Sequence, residues 1–275
     1  MLEPALRASL FLISGWAVAR LLLPGLLSMI DEAGFRRPNY RGEEIPNGAG
    51  AVFFLSTLVV VTFLFFVLPS EARQKAAVFL FALAGFTCLG LMDDFWGSGS
   101  CRGLAGHLKS LVRGRLTTGA LKALAGGVMA LFIAASGGSP AYVPLDALII
   151  ALSVNLINLL DLRPGRAGKC FLLVSAAILA AFPGRAEGVF LAAAAGSLLA
   201  FLPTDLGARA MMGDTGANAL GAAAGITAAW TFSPEMKAAL LALLLALHLV
   251  AERYSLTRII QSVPLLDYLD RLGRK

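Results

Sequence analysis

The stretch ASLFLISGWAVARLLLPGLLSMI, residues 8–30, carries one charged side chain, Arg20, in 23 residues. At about 1.5 Å of rise per residue a helix of this length crosses the ~30 Å hydrocarbon layer of a bilayer. Eight further apolar blocks follow, at roughly residues 48–68, 75–92, 117–136, 142–160, 169–183, 187–204, 216–232 and 236–253. The sixth is short enough to be re-entrant. These blocks account for a composition that is 58% hydrophobic and 15% charged, which excludes a disordered chain, a collagen and a secreted disulfide scaffold. Cys88, Cys101 and Cys170 form an odd set without C-x-x-C spacing, so three reduced thiols are expected. The first block continues past a signal-peptide length with no small-residue cleavage site, so no cleavable leader is expected. The expected fold class is an all-α integral membrane bundle of about nine transmembrane helices.

The connections between blocks alternate in charge. Sixteen lysines and arginines fall on the odd-numbered loops and the tail, five on the even side, and Arg20 and Lys122 lie within spans. That asymmetry places the amino terminus outside and the carboxyl terminus in the cytoplasm of a multi-pass plasma-membrane protein. The net charge of +6 is thereby read as orientation and anionic lipid rather than nucleic acid. With no internal repeat or long linker, residues 1–253 read as a single membrane domain. Residues 254–275 set Leu256, Ile259, Ile260, Val263, Leu266 and Leu269 among charges, an amphipathic cytoplasmic tail broken at Pro264.

Polar residues that tolerate the membrane boundary all gather on the cytoplasmic side. GLMDDFWG puts Asp93 and Asp94 at the carboxyl end of the third span, where the helix dipole is already negative. A solvated helix end, or metal or proton chemistry, would account for the pair. NLINLLDL spaces Asn155, Asn158 and Asp161 by three, and each step of three turns about 300°, so they share one helix face. Interhelical hydrogen bonding is one use of such a face; its oxygen donors equally suit Mg²⁺ and phosphate. MGDTGANALG opens the eighth span with Asp214 as N-cap or metal ligand, while Gly213 and Gly216 allow close backbone approach to a phosphate. Lys122 lies one turn inside the fourth span, positioned to snorkel or to meet that phosphate. The first loop, FRRPNYRGEEIPNGAG, is a turn or a second glycine-rich anion contact. His107 and His248 stand isolated, and Arg20 has no assigned role.

GLMDDFWG, GHLKSLVRGRLTTGALKAL, NLINLLD and MGDTGANALG, in this order and on these loops, resemble the polyprenyl-phosphate N-acetylhexosamine-1-phosphate transferases. IPNGAG is similar to that superfamily's first-loop motif, and ERYSLTRIIQ to its E-x-x-S pattern; the likeness runs from about Pro38 to Gln261. The superfamily includes the bacterial phospho-N-acetylmuramoyl-pentapeptide transferase and the enzymes that start lipid-linked polysaccharides. The resemblance implies Mg²⁺-dependent transfer of a sugar 1-phosphate, of an N-acetylated amino sugar, from a UDP-sugar to polyprenyl phosphate. UMP is released, and the product serves cell-envelope glycan synthesis. Carried over by position, Asp214 and Asn158 hold Mg²⁺, with Mn²⁺ as the alternative ion. Lys122 contacts phosphate, and the reading of the residues themselves adds Asn155, Gly213 and Gly216 as substrate contacts. Asp93, Asp94 and Asp161 act as the catalytic carboxylates. A homodimer is compatible with the resemblance, and no nucleic-acid partner is implied.

Two departures shape the expectation. Leu162, Arg163, Pro164 and Gly165 follow Asp161 where the superfamily commonly continues Gly-x-Asp-Gly. The cytoplasmic histidine-rich loop and tenth helix typical of the superfamily are not found after the ninth span. Arg163, Arg166 and Lys169 are expected to replace part of that loop as cationic contacts to the diphosphate. The alternative is a non-catalytic homologue that binds polyprenyl phosphate and regulates or assists envelope synthesis. A CDP-alcohol phosphotransferase lacks support because its D-G-x-x-A-R motif is missing. A secondary transporter would place its carboxylates near mid-membrane.

Overall fold

The computed structural model describes residues 3–97, 117–137 and 139–274. Cys101 and His107 lie outside the described residues. The described residues form an all-α polytopic bundle with one small hairpin. Its helices are α1 (Pro4–Glu32), α2 (Ala51–Phe63), α3 (Ser70–Trp96), α4 (Thr118–Gly137), α5 (Val143–Leu160), α6 (Arg166–Ala181), α7 (Gly188–Leu206), α8 (Gly213–Thr231) and α9 (Pro234–Arg253). Two short helices, α10 (Leu256–Ser262) and α11 (Pro264–Arg271), form the tail, with Pro264 opening the second. Among the described residues six helices, α1, α3, α4, α5, α7 and α9, are long and apolar enough to cross a membrane. The other three apolar blocks are helical too, but α2 has 13 residues and α6 has 16. Helix α8 has 19 residues and is built largely of Gly, Ala, Thr and Asn. That composition suits its position: α8 is buried on almost every side, so its partners are protein rather than lipid.

Small residues set the helix spacing. A Cβ on Gly15 of α1 would collide with the Ala193 carbonyl of α7, and one on Gly196 of α7 with the Leu12 carbonyl of α1. The two backbones therefore touch through reciprocal glycines, the close approach that dispersion-driven packing in membranes requires. Helix α8 is held against α5 in the same way, where a Cβ on Gly221 would lie 2.7 Å from the Ser153 carbonyl. Gly196→Ala is expected to destabilise the bundle by about 3 kcal/mol, because a backbone carbonyl cannot rotate away as a side chain can. Gly127→Ala on α4 is the control: its Cβ would meet nothing within 4 Å, so stability should hold or rise. Thermal unfolding in detergent reads both.

The end of the bundle that carries the motifs is organised by the first loop. Strand β1 (Arg36–Pro38) pairs antiparallel with β2 (Glu44–Pro46), Arg37 opposite Ile45. Asn39 closes the hairpin, its side-chain oxygen accepting from the N–H of Arg41 at 2.8 Å and of Glu43 at 3.1 Å. The chain then runs beside the segment that starts α8: Met211 N–H donates to the Pro46 carbonyl, and the N–H groups of Ala49 and Gly50 donate to the Met211 and Met212 carbonyls. IPNGAG and MGDTGANALG are thus joined through the backbone. At the opposite end two partly or fully buried ion pairs tie helices together, Lys237 to Asp146 at 2.9 Å and Lys75 to Glu187 at 2.6 Å.

Candidate active site

Four motifs converge at the hairpin end, because the carboxyl ends of α3 and α5 and the amino ends of α4 and α8 meet there. Lys122, one turn into α4, forms an ion pair with Asp214 in the first turn of α8 and lies 3.6 Å from Asp93. Asn158 of α5 donates its amide to the same Asp214 oxygen at 3.1 Å. One lysine, two carboxylates and one amide from four helices therefore share a half-buried cluster. The structure brings Asp93, Lys122, Asn158 and Asp214 together.

Asp94 faces elsewhere. Its Oδ1 accepts from the Asn47 amide at 3.0 Å and the Asp214 N–H at 3.1 Å; its Oδ2 accepts from the Thr215 N–H at 2.9 Å and the Thr215 hydroxyl at 2.6 Å. The carboxylate is the cap of α8, where a negative group meets the positive end of the helix dipole. Gly213, at φ 67°, makes the approach feasible, since a Cβ there would run into the Asp94 carboxylate and come within 2.8 Å of the Asn47 oxygen. Gly216 packs against Gly50, Met212 and Phe53. The sequence reading placed a phosphate at this helix start; in the structure the anion bound to its N–H groups is Asp94. Arg37 completes the junction by donating to the Asp94 and Phe95 carbonyls at 3.0 and 3.3 Å, which offsets the negative end of α3. Phe35 stacks on Phe95 beneath it, centroids 3.9 Å apart.

Asp161 caps the carboxyl end of α5 and is half-buried. Removal from water, then the negative charges of Asp205, Asp214 and Asp94, hold its carboxyl well above the ordinary aspartate range. Asp205, at the end of α7, accepts from the Gly165 N–H at 2.9 Å. The motif reading overlooked Asp205, Asn47, Thr215 and Arg37. A buried acid at the end of an apolar helix, as in LPTDL, was the available signal for the first. Asn155 is exposed, one turn from Asn158, and its side chain makes no hydrogen bond among the described residues.

Two of the three cations assigned to the diphosphate are engaged by the tail. Arg166 is buried and grips both oxygens of Asp270, at 2.8 and 3.0 Å, with a third bond to the Thr257 hydroxyl at 3.0 Å. Lys169 donates to the carbonyls of Leu269, Asp270 and Leu272 at the end of α11. Arg163 instead lies over the Tyr40 ring, 4.9 Å from its centroid. Burial raises the Asp270 carboxyl, but the hydrogen bonds and charge of Arg166 and the charge of Arg274 outweigh it, and the net position is below the ordinary aspartate value. A lowered folded value contributes stability that is fully present above the unfolded value and lost as pH falls through the folded one. The tail is therefore expected to release in acid, below about pH 4. An environment-sensitive dye on Leu272→Cys, in a cysteine-free background, should report release on acidification, whereas Asp270→Asn should be released already at neutral pH.

The donor chemistry of the cluster can be tested against a divalent cation. Among the described residues no three acidic, histidine or cysteine side chains form a ready-made cage. Asp214, Asn158 and Asp93 supply oxygen from two carboxylates and an amide. Mg²⁺ is commonly held in that way, by one or two carboxylates with substrate phosphate and water completing the shell. Asp93 and Asp214 together carry more negative charge than the single Lys122 ammonium beside them neutralises. The residues fit a hard cation.

No curated protein matches the chain significantly. A family model described as glycosyl transferase family 4 matches residues 76–232, the segment from α3 through α8 that supplies Asp93, Lys122, Asn158 and Asp214. Members of this family are phosphosugar transferases that act on polyprenyl phosphate. With more than half of its length matched, and with the matched segment building the cluster, the chain belongs to glycosyl transferase family 4.

Proposed function

We propose that the protein transfers a sugar 1-phosphate, of an N-acetylated amino sugar, from a UDP-sugar to polyprenyl phosphate at the cytoplasmic face of the plasma membrane. The observation that carries this reading is the cluster of Lys122, Asp93, Asp214 and Asn158 at the ends of membrane helices, where a lipid phosphate and a soluble nucleotide can both arrive. In the reaction an oxygen of polyprenyl phosphate attacks the sugar-bearing phosphorus of the UDP-sugar. A new P–O bond forms, the bridging P–O bond breaks, and UMP leaves with the electron pair. Asp214 and Asn158 would hold Mg²⁺, which when bound neutralises phosphate charge. Lys122 orients a phosphate oxygen and offsets its charge. Asp93, beside Lys122, accepts the proton of a lipid phosphate that arrives protonated, or keeps the lysine aligned. Asp94 positions the start of α8.

The test is UMP release by purified protein given polyprenyl phosphate, Mg²⁺ and a panel of UDP-amino sugars. Protein that binds polyprenyl phosphate yet releases no UMP from any of them, with Mg²⁺ or Mn²⁺, would instead be a non-catalytic phosphate binder. The orientation has its own test in a cysteine-free background. Glu43→Cys and Arg209→Cys, both exposed at the hairpin end, should resist an impermeant thiol reagent added to intact cells, and Gly184→Cys should label. Labelling of the first two from outside would overturn the cytoplasmic assignment.

A further inference from the structure

The first loop, the α5–α6 turn and the tail enclose a groove of about 380 Å³ that shares none of its lining with the Asp93, Lys122, Asn158 and Asp214 cluster. Its walls carry Tyr40, Arg41, Arg163, Arg166, Arg271 and Arg274, with Asp267 and Asp270 as the acidic groups among the lining residues. Five guanidiniums against two carboxylates leave three positive charges gathered in one concavity. The floor is built: Asp270 binds Arg166 by both oxygens and Arg274 at 3.0 Å, and Arg274 also donates to the Pro164 carbonyl at 3.2 Å. Thus one carboxylate fixes two arginines in place without neutralising both.

The walls are less committed. The Arg41 and Arg163 guanidiniums lie 5.1 and 4.9 Å from the Tyr40 ring centroid, and Arg41 Nε donates to the Tyr40 hydroxyl at 2.8 Å. Beyond its ring contact, the Arg163 side chain makes no hydrogen bond to a described residue. Arg271 binds Asp267 through Nε at 3.0 Å, and its side chain is 66% exposed. A planar guanidinium with unengaged N–H groups presents a fork matched to two oxygens of a phosphate. A surplus of three positive charges exceeds what a single carboxylate would balance and suits a phosphate monoester or a pyrophosphate.

We infer that this groove is a second anion site, which takes a phosphate or pyrophosphate ester through Arg163 and Arg271 and is completed by the docked tail. The phosphate has two sources, a soluble nucleotide or the headgroup of an anionic lipid. The exposed Leu265, Leu266 and Leu269 of α11 flank the groove on the tail side and make the second source physically reachable. Arg163 is among the cations the sequence reading assigns to the diphosphate, but none of Asp93, Lys122, Asn158 and Asp214 lines this groove, so the inference is testable without the transferase cluster.

The experiment uses the full chain in phosphatidylcholine nanodiscs, with EDTA present so that no divalent cation takes part. Pyrophosphate binding is measured by calorimetry, and thermal stability is compared between phosphatidylcholine and phosphatidylglycerol discs. Pyrophosphate binding that weakens about tenfold or more in Arg163→Gln/Arg271→Gln protein, and persists in Asp214→Ala protein, supports the groove with a soluble source. A stabilisation by phosphatidylglycerol that disappears in the same double variant supports it with a lipid source. Neither arginine anchors the tail through Asp270, and an unchanged tail-dye signal verifies that docking is intact. Wild-type protein that responds to neither probe, or a double variant that responds as fully as wild type, overturns the inference.

Discussion

Asp214→Ala lowers the rate of UMP release by about a thousandfold, and Asp214→Asn does not restore it. Asp214 is the hub of the cluster: one of its oxygens receives both the Lys122 ammonium and the Asn158 amide. Without it Lys122 retains only Asp93, at 3.6 Å, and the oxygen donors for a hard cation fall to one carboxylate and one amide. Loss of a single electrostatic stabiliser of the transition state costs about 10²–10³ in rate, and here a metal ligand and the lysine's partner go together. The fold should survive, because the contribution of residue 214 to the α8 cap is its backbone N–H, which alanine keeps. Two readouts separate chemistry from folding: the rate of UMP release, and the Mg²⁺-dependent rise in melting temperature. Near-normal turnover in Asp214→Ala would remove this residue from the centre. An unchanged Mg²⁺ response in both Asp214→Ala and Asn158→Ala would put the ion elsewhere.

The architecture was legible where it follows from local pattern. Each of the nine apolar blocks folds as a helix. A helical apolar block is not by itself long enough to cross, as the 13 residues of α2 and the 16 of α6 show. The convergence of GLMDDFWG, TTGALKAL, NLINLLD and MGDTGANALG was legible for a simple reason: consecutive long helices reverse direction, so alternate ends share a face. Helix α8 is the informative exception to hydropathy, being the element most enclosed by protein and therefore released from the need to be apolar towards lipid.

What stayed hidden depends on contacts distant in sequence. Asp93 and Asp94 are neighbours, but successive helical side chains point about 100° apart, so one meets Lys122 and the other the start of α8. No spacing rule reveals which is which. The same holds for Arg166, whose place beside Asn158 and Asp161 suggested a diphosphate contact. Its partner is Asp270, in an amphipathic tail whose docking position cannot be read from its own periodicity. Asn47 was visible only as part of a proline- and glycine-rich turn. Its importance comes from the backbone pairing that brings that turn against Met211 and Met212.

The sharpest consequence of that division is that Asp93→Asn and Asp94→Asn have opposite signatures. Asp94 accepts four hydrogen bonds, two on each oxygen. An asparagine must place its NH₂ at one of those positions. At Oδ1 it would face the Asp214 N–H, and at Oδ2 the Thr215 N–H, so either rotamer strands a backbone donor at the start of α8. The Asn47 amide can turn over and the Thr215 hydroxyl can rotate, but neither backbone N–H can adapt. Stranding a part-buried backbone donor in this way costs about 1–3 kcal/mol. Asp94→Asn is therefore expected to lower the melting temperature sharply and to lose turnover along with the folded α8 start, as Asp94→Ala should. Thr215→Val should reproduce part of that loss, because it removes the 2.6 Å hydroxyl donor and keeps the shape. Asp93→Asn leaves the cap intact, so its melting temperature should match wild type. Its turnover should fall while the sugar-nucleotide requirement changes little, the pattern of an interaction made in the transition state. Asp94→Asn protein with wild-type stability and a selectively reduced maximal rate would return Asp94 to the chemistry and refute its assignment as the clamp.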